Sequence, residues 1–98
     1  MKIDLENKVA IVTGAGRGIG KTIASTLAAE GAITVAVDMR QELLDDLETE
    51  WRDAGWKGAF LTCDVREKAD CERVAREVVE RFGRIDVLVN NAGVAGGG

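Results

Sequence analysis

The segment Val9–Thr22, VAIVTGAGRGIGKT, runs from an apolar, β-branched stretch through four closely spaced glycines into a helical period. Val9–Thr13 has the composition of a strand buried on both faces of a parallel sheet. A glycine turn followed by a helix aims bare backbone N–H groups, and the positive end of the helix dipole, at an anion. Two phosphate-binding loops share that basis and differ in which glycines they need. The dinucleotide pattern G-x-G-x-x-G is not met by Gly14, Gly16, Gly18 and Gly20. The triphosphate pattern G-x-x-x-x-G-K-[ST] fails only at its first position, where Ala15 stands ahead of Gly20, Lys21 and Thr22. On these residues alone the two readings are nearly level.

The rest of the chain repeats the strand-and-helix theme. Ile33–Val37 (ITVAV) ends at Asp38, Ala59–Cys63 (AFLTC) ends at Asp64, and Ile85–Val89 (IDVLV) ends at Asn90, so polar residues gather at one edge of the sheet. Between the strands lie helical stripes: Ile19, Ile23, Leu27 and Ala28 before Gly31; Leu43, Leu44, Leu47 and Trp51 before Gly55; Cys71, Val74, Ala75, Val78, Val79 and Phe82 before Gly83. Each closing glycine suits a helix C-cap. The charges on the outer face of the third helix, Glu72, Arg73, Arg76, Glu77, Glu80 and Arg81, read as a solvated surface with a few i,i+4 pairs.

The order β-α-β-α-β-α-β predicts an α/β fold, a Rossmann-like doubly wound parallel sheet. Right-handed crossovers put the first two helices on one face and the third on the other, which gives the strand order 3-2-1-4. Ligands then bind at the switch point between strands one and four. Residues 1–98 are expected to form one dinucleotide-binding domain.

Composition excludes several classes. With 98 residues, 46% hydrophobic and 31% charged, the chain is globular rather than disordered. A formal charge of −4 with no block of basic residues argues against nucleic acid as a partner. No apolar run reaches the length of a membrane span, and MKIDLENK is too charged for a signal peptide, so no membrane partner and a cytoplasmic location are expected. Cys63 and Cys71 have no histidine to complete a metal site and read as buried thiols in a reducing compartment. The chain has no Tyr, His or Pro, and its only serine is Ser25, so a phenol or imidazole proton relay is not completed within it.

Context separates the two loop readings. Asp38 lies 18 positions after Gly20 at the tip of the second strand, where a carboxylate accepts both hydroxyls of an adenosine ribose. The triphosphate reading needs Lys21 on phosphate, Thr22 on magnesium, and Asp38 or Asp64 as the acid behind the metal.

At this point the sequence resembles the short-chain dehydrogenases/reductases. Their T-G-x-x-x-G-x-G is matched by Thr13, Gly14, Gly18 and Gly20, their strand-tip Asp by Asp64 followed by Val65, and their N-N-A-G by Asn90, Asn91, Ala92 and Gly93. The resemblance covers essentially the whole chain. It implies NAD or NADP as cofactor, with Asp38 favouring NAD. It also implies that Gly14 allows the turn out of the strand, Gly18 admits the pyrophosphate, Gly20 packs helix on sheet, and the Ile19 N–H donates to phosphate. Gly16 belongs to the same cofactor loop. Arg17 either covers the adenosine or is a solvent-facing loop residue. Asp64 and Val65 resemble adenine contacts, with a helix N-cap at Asp64 or Asp70 as the other reading. Asn90 to Gly93 resemble the segment beside the adenosine ribose, in part structural. Lys21 and Thr22 become ordinary residues of the first helical turn.

The family's catalytic serine and Tyr-x-x-x-Lys have no counterpart here, and Ser25 sits mid-helix, away from the switch point. The expectation is therefore the cofactor-binding half of an alcohol/carbonyl oxidoreductase, ending in VNNAGVAGGG where a further helix should follow, which binds cofactor without catalysis. A stand-alone nucleotide-binding module, or a fragment of a triphosphate hydrolase, is the alternative. Family members are usually homo-oligomeric. Here the fourth strand, apolar apart from Asp86, is left as an edge, so self-association through it is expected.

Overall fold

A computed structural model describes residues 4–92 of the chain. Strand β1 (Val9–Thr13) leads into helix α1 (Gly18–Ala29), then β2 (Ile33–Asp38), α2 (Gln41–Ala54), β3 (Gly58–Thr62), α3 (Lys68–Phe82) and β4 (Val87–Val89). The strands form one parallel sheet in the order β3-β2-β1-β4, as the alternation requires. In register, Val9 to Thr13 lie beside Ile33 to Val37, and Ala10 to Val12 lie beside Val87 to Val89.

Side chains alternate along each strand, so the sheet builds two cores. Val9, Ile11, Val35, Val37, Ala59 and Cys63 meet Val74 and Val78 of α3 on one face. Val12, Ala15 and Ala36 meet Ala24 and Ala28 of α1 and Leu44, Leu47 and Trp51 of α2 on the other. Small residues dominate the α1 contact and let that helix approach closely. Large ones dominate α2, where Trp51 is 1% exposed and packs against Phe60 with ring centroids 5.1 Å apart. Burying one side chain of this size contributes on the order of 3 kcal/mol. Ser25 belongs to this packing: its Oγ accepts the Trp51 indole N–H at 3.3 Å, well away from the strand tips.

Four expectations need correction. Ile19 does not extend the apolar stripe of α1; it is 74% exposed, because the first turn of α1 projects beyond the sheet and the buried stripe is Gly20, Ala24 and Ala28. Ala75 and Val79 also escape burial. Only Val74 and Val78 of α3 are buried, so the helix presents a narrower stripe to the sheet than its spacing suggests. β4 begins at Val87, not Ile85, since Asp86 breaks the apolar run: its Oδ2 accepts the Val9 N–H and its own N–H donates to the Val9 carbonyl, both at 2.8 Å. Finally, Arg73 is more than a surface charge. Its guanidinium donates to the Thr62 carbonyl at 2.6 Å and tethers α3 to the end of β3.

The glycine stops hold with one offset. Gly55 and Gly83 are the left-handed C-caps of α2 and α3, whereas α1 caps at Glu30, one residue before Gly31. β4 is an edge strand with Leu88 63% exposed.

Candidate functional site

The carboxyl ends of β1, β2 and β3 meet the segment after β4 at one edge of the sheet, and the turn after β1 is tied down there. Gly14 leaves the strand with φ +64°, and its carbonyl oxygen accepts Asn91 Nδ2 at 3.4 Å. The Ala15 N–H donates to the Val37 carbonyl at 3.0 Å, and the Gly16 N–H donates to Asp38 Oδ2 at 2.9 Å. The other Asp38 oxygen accepts the Arg40 N–H at 3.1 Å. Asp38 is therefore oriented by the backbone on both sides, with lone pairs left over to accept hydroxyl groups. A Cβ on Gly16 would stand 2.8 Å from Asp38 Oδ2 and 2.7 Å from Leu43 Cβ, so no side chain fits between loop and acid.

Arg17 is the N-cap residue of α1, exposed, and supplies no side-chain cap. The first intrahelical bond runs from the Lys21 N–H to the Arg17 carbonyl, which leaves the N–H groups of Gly18, Ile19 and Gly20 outside the helical ladder. Neither an acidic residue nor a capping side chain occupies this turn, whereas α2 carries Glu42 and α3 carries Asp70 in theirs. Gly18 has φ +61°, and a Cβ there would meet nothing within 4 Å. The positive end of α1 thus faces open space. Lys21 is drawn off to Glu50 of α2 at 2.9 Å, and the Thr22 hydroxyl donates back to the Gly18 carbonyl at 3.3 Å. Neither has the placement that a triphosphate loop demands of its Lys and Thr.

Beside the turn lies a cavity of about 300 Å³ lined by Gly14, Val37, Asp38, Met39, Cys63, Asp64, Val65, Arg66 and Ala92. Five residues singled out from sequence, Gly14, Asp38, Asp64, Val65 and Ala92, converge on it from four separate segments. Arg17, Gly18, Ile19 and Gly20 lie outside it, on the turn and the first turn of α1. Asn90 lines a neighbouring groove of about 450 Å³ between α3 and β4, together with Val65 and Ala92. Gly93 lies outside the described residues.

Asp64 does not take up the helix-cap reading, and its carboxylate is paired within the chain. Arg66 grips its carboxylate through Nε on Oδ1 at 3.0 Å and Nη2 on Oδ2 at 2.9 Å, and the Arg66 N–H adds a third bond at 3.0 Å. The guanidinium holds the Asp64 carboxyl below its ordinary range. Neither Asp64 nor Asp70 caps α3 with its side chain: the N-cap residue is Glu67, and Asp70 Oδ2 instead accepts the Asp64 N–H at 2.8 Å. Burial, and then the neighbouring Cys71 thiol, push the Cys63 thiol up to about 11, consistent with two free cysteines that serve as packing.

Thr13 knits the sheet centre to the Asn-Asn-Ala segment. Its hydroxyl oxygen accepts the Ala92 N–H at 3.0 Å and lies within donating reach of Asn90 Oδ1 (3.2 Å) and the Val89 carbonyl (3.4 Å). Val37, Met39, Cys63 and Arg66 line the cavity without standing out in the sequence as site residues; Val37 and Cys63 read as strand core, and Met39 and Arg66 go unmarked. The signal for the latter pair was position, one and two residues beyond a strand-tip acid.

Comparison with known proteins agrees with this arrangement. The family model described as short chain dehydrogenase matches residues 8–98. A 3beta-hydroxysteroid dehydrogenase from Mediterraneibacter gnavus is 41% identical over 91 residues, which cover 93% of this chain and 33% of that protein. A D-threitol dehydrogenase from Mycolicibacterium smegmatis is 46% identical over 93 residues, 93% of this chain and 35% of the relative. Among solved structures, a metagenomic short-chain oxidoreductase in complex with NADP superposes with a TM-score of 0.88 at 41% identity, covering 94% of this chain and 42% of that one. The chain thus spans about a third of the length of the curated relatives it matches. With three separate motifs brought to one sheet edge and the family match running from Lys8 onward, the chain belongs to the short-chain dehydrogenase family.

Proposed function

We propose that residues 1–98 form one incomplete dinucleotide-binding domain, the cofactor-binding half of an oxidoreductase that acts on an alcohol or carbonyl group. The observation that carries this reading is the convergence of Asp38, Asp64 and Val65 on one cavity beside the uncapped end of α1. These residues fit a nicotinamide dinucleotide. The open space before Gly18 and the N–H groups of Gly18, Ile19 and Gly20 suit a pyrophosphate, with the exposed Ile19 side chain and Arg17 beside it. Asp38 would take the adenosine ribose and Gly14 and Gly16 keep the loop close to it. Asp64, Val65, Asn90 and Ala92 would surround the adenosine, and Gly93, outside the described residues, belongs with them by its motif alone. When bound, the cofactor supplies or accepts the hydride. The proton donor that a carbonyl reaction requires is not among these residues, since the chain contains no Tyr and no His and Ser25 is committed to Trp51. The chain by itself binds cofactor without catalysis, in a cytoplasmic protein.

NAD is the preferred cofactor. A 2′-phosphate placed against Asp38 would meet a like charge at about 4 Å, a repulsion of ~1–4 kcal/mol depending on the local dielectric. The test is calorimetric titration of NAD and NADP into the chain and into Asp38→Asn, which keeps an acceptor for the loop while removing the charge. The variant is expected to gain in NADP affinity relative to NAD. An unchanged ratio would show that Asp38 is not the discriminator, and failure of both nucleotides to bind the parent chain would refute the cofactor reading.

A further inference from the structure

Asp38 is not the only charged residue at the tip of β2. The backbone N–H of Arg40 bonds Asp38 Oδ1, so the Arg40 side chain starts directly beside the carboxylate that faces the ribose in the reading above. A guanidinium there is the group best suited to a phosphate monoester, through paired N–H donors. In this chain it is engaged elsewhere. Arg40 Nε donates to Glu42 Oε1 at 2.7 Å, and Glu42 sits in the first turn of α2. The Glu42 carboxyl is anchored twice: its own backbone N–H and the Arg40 side chain hold it below the ordinary carboxylate range, in that order of size. Arg40 is thereby paired with the first turn of α2 rather than with the ribose side of Asp38.

We propose that Glu42 is a positioning residue for cofactor choice: by pairing with Arg40 it withholds from a 2′-phosphate the cation whose backbone adjoins Asp38 at the β2 tip, and so reinforces the preference for the unphosphorylated ribose. This rests on the assignment of Asp38 to the adenosine ribose. The pair is well exposed, with 55% and 62% of the two side chains accessible, so its hold is modest and reversible. The selectivity it contributes is correspondingly a matter of a few-fold, added to the repulsion from Asp38.

The test uses ADP-ribose and its 2′-phosphorylated form as probes, titrated into four versions of the chain: the parent, Glu42→Gln, Arg40→Ala, and the double variant. The readout is the ratio of the two affinities. Glu42→Gln is expected to shift the ratio toward the 2′-phosphate by about threefold to fivefold, the upper size of an exposed ion pair released to a new partner. The same substitution made on Arg40→Ala should shift it by about twofold or less, since only the bare charge of Glu42 is then removed. Equal shifts in both backgrounds would overturn the inference, because Glu42 would be acting without Arg40. No shift in either would also overturn it while leaving the cofactor assignment standing. Failure of the parent chain to bind ADP-ribose would remove both.

Discussion

Gly20→Ala separates local preference from tertiary constraint at the centre of the cofactor loop. Gly20 is the third residue of α1, and in an open helix alanine would be favoured over glycine by roughly 0.8–1 kcal/mol. Here a Cβ would run into the Gly14 carbonyl oxygen and stand 2.7 Å from Asn91 Nδ2. The first obstacle is backbone and cannot rotate aside, so α1 must lift away from the turn, at an overpacking cost of roughly 1–3 kcal/mol. The net expectation is destabilisation of up to about 2 kcal/mol, or up to about 15 °C in melting temperature for a chain of this size. Urea denaturation followed by circular dichroism measures it, with Gly18→Ala as the comparison. At Gly18 no atom crowds the Cβ, and the cost is the left-handed φ alone, about 1–2 kcal/mol. Adding Asn91→Ala to Gly20→Ala should not restore stability, since it clears the side chain but leaves the Gly14 carbonyl in place. A rise in urea midpoint for Gly20→Ala, or full rescue by Asn91→Ala, would refute the argument that helix α1 touches this turn through its backbone.

Two further outcomes are expected. Asp86 is held below its ordinary range by Arg84 first and the Val9 N–H second, so its contribution to stability is complete above about pH 4 and is lost as pH falls through the lower folded value; Asp86→Asn should flatten the acid limb of a urea-midpoint profile, and an unaltered slope would show that the link between β4 and β1 is not ionic. We also expect the isolated chain to self-associate through β4, where Leu88 is 63% exposed on an uncovered edge; Leu88→Lys should shift size-exclusion elution toward the monomer, and a wild-type chain that stays monomeric at every concentration would contradict this.

Much of this architecture was legible in the sequence because it depends on local periodicity. The continuous apolar runs ITVAV and VAIVT have no polar face to turn to water, which demands a parallel sheet covered on both sides, and the three- and four-residue steps of α2 and α3 demand helices over it. Handedness of the crossovers then leaves the order β3-β2-β1-β4, and a strand-tip acid is placed at the sheet edge by chain geometry alone. What sequence patterns do not carry is direction and partnership. Ile19 fits an apolar stripe by spacing, but it lies in a turn that overhangs the sheet, so it faces outward. Lys21 and Thr22 spell most of a triphosphate loop, yet the packing of α1 against α2 gives Lys21 to Glu50. The Gly16 N–H meets Asp38 and the Val9 N–H meets the Asp86 carboxylate, because each pair forms only when distant stretches of chain are brought side by side. The period of a chain records which residues must be covered; which polar groups meet is decided when separate segments are brought to the same edge, and only the tertiary structure does that.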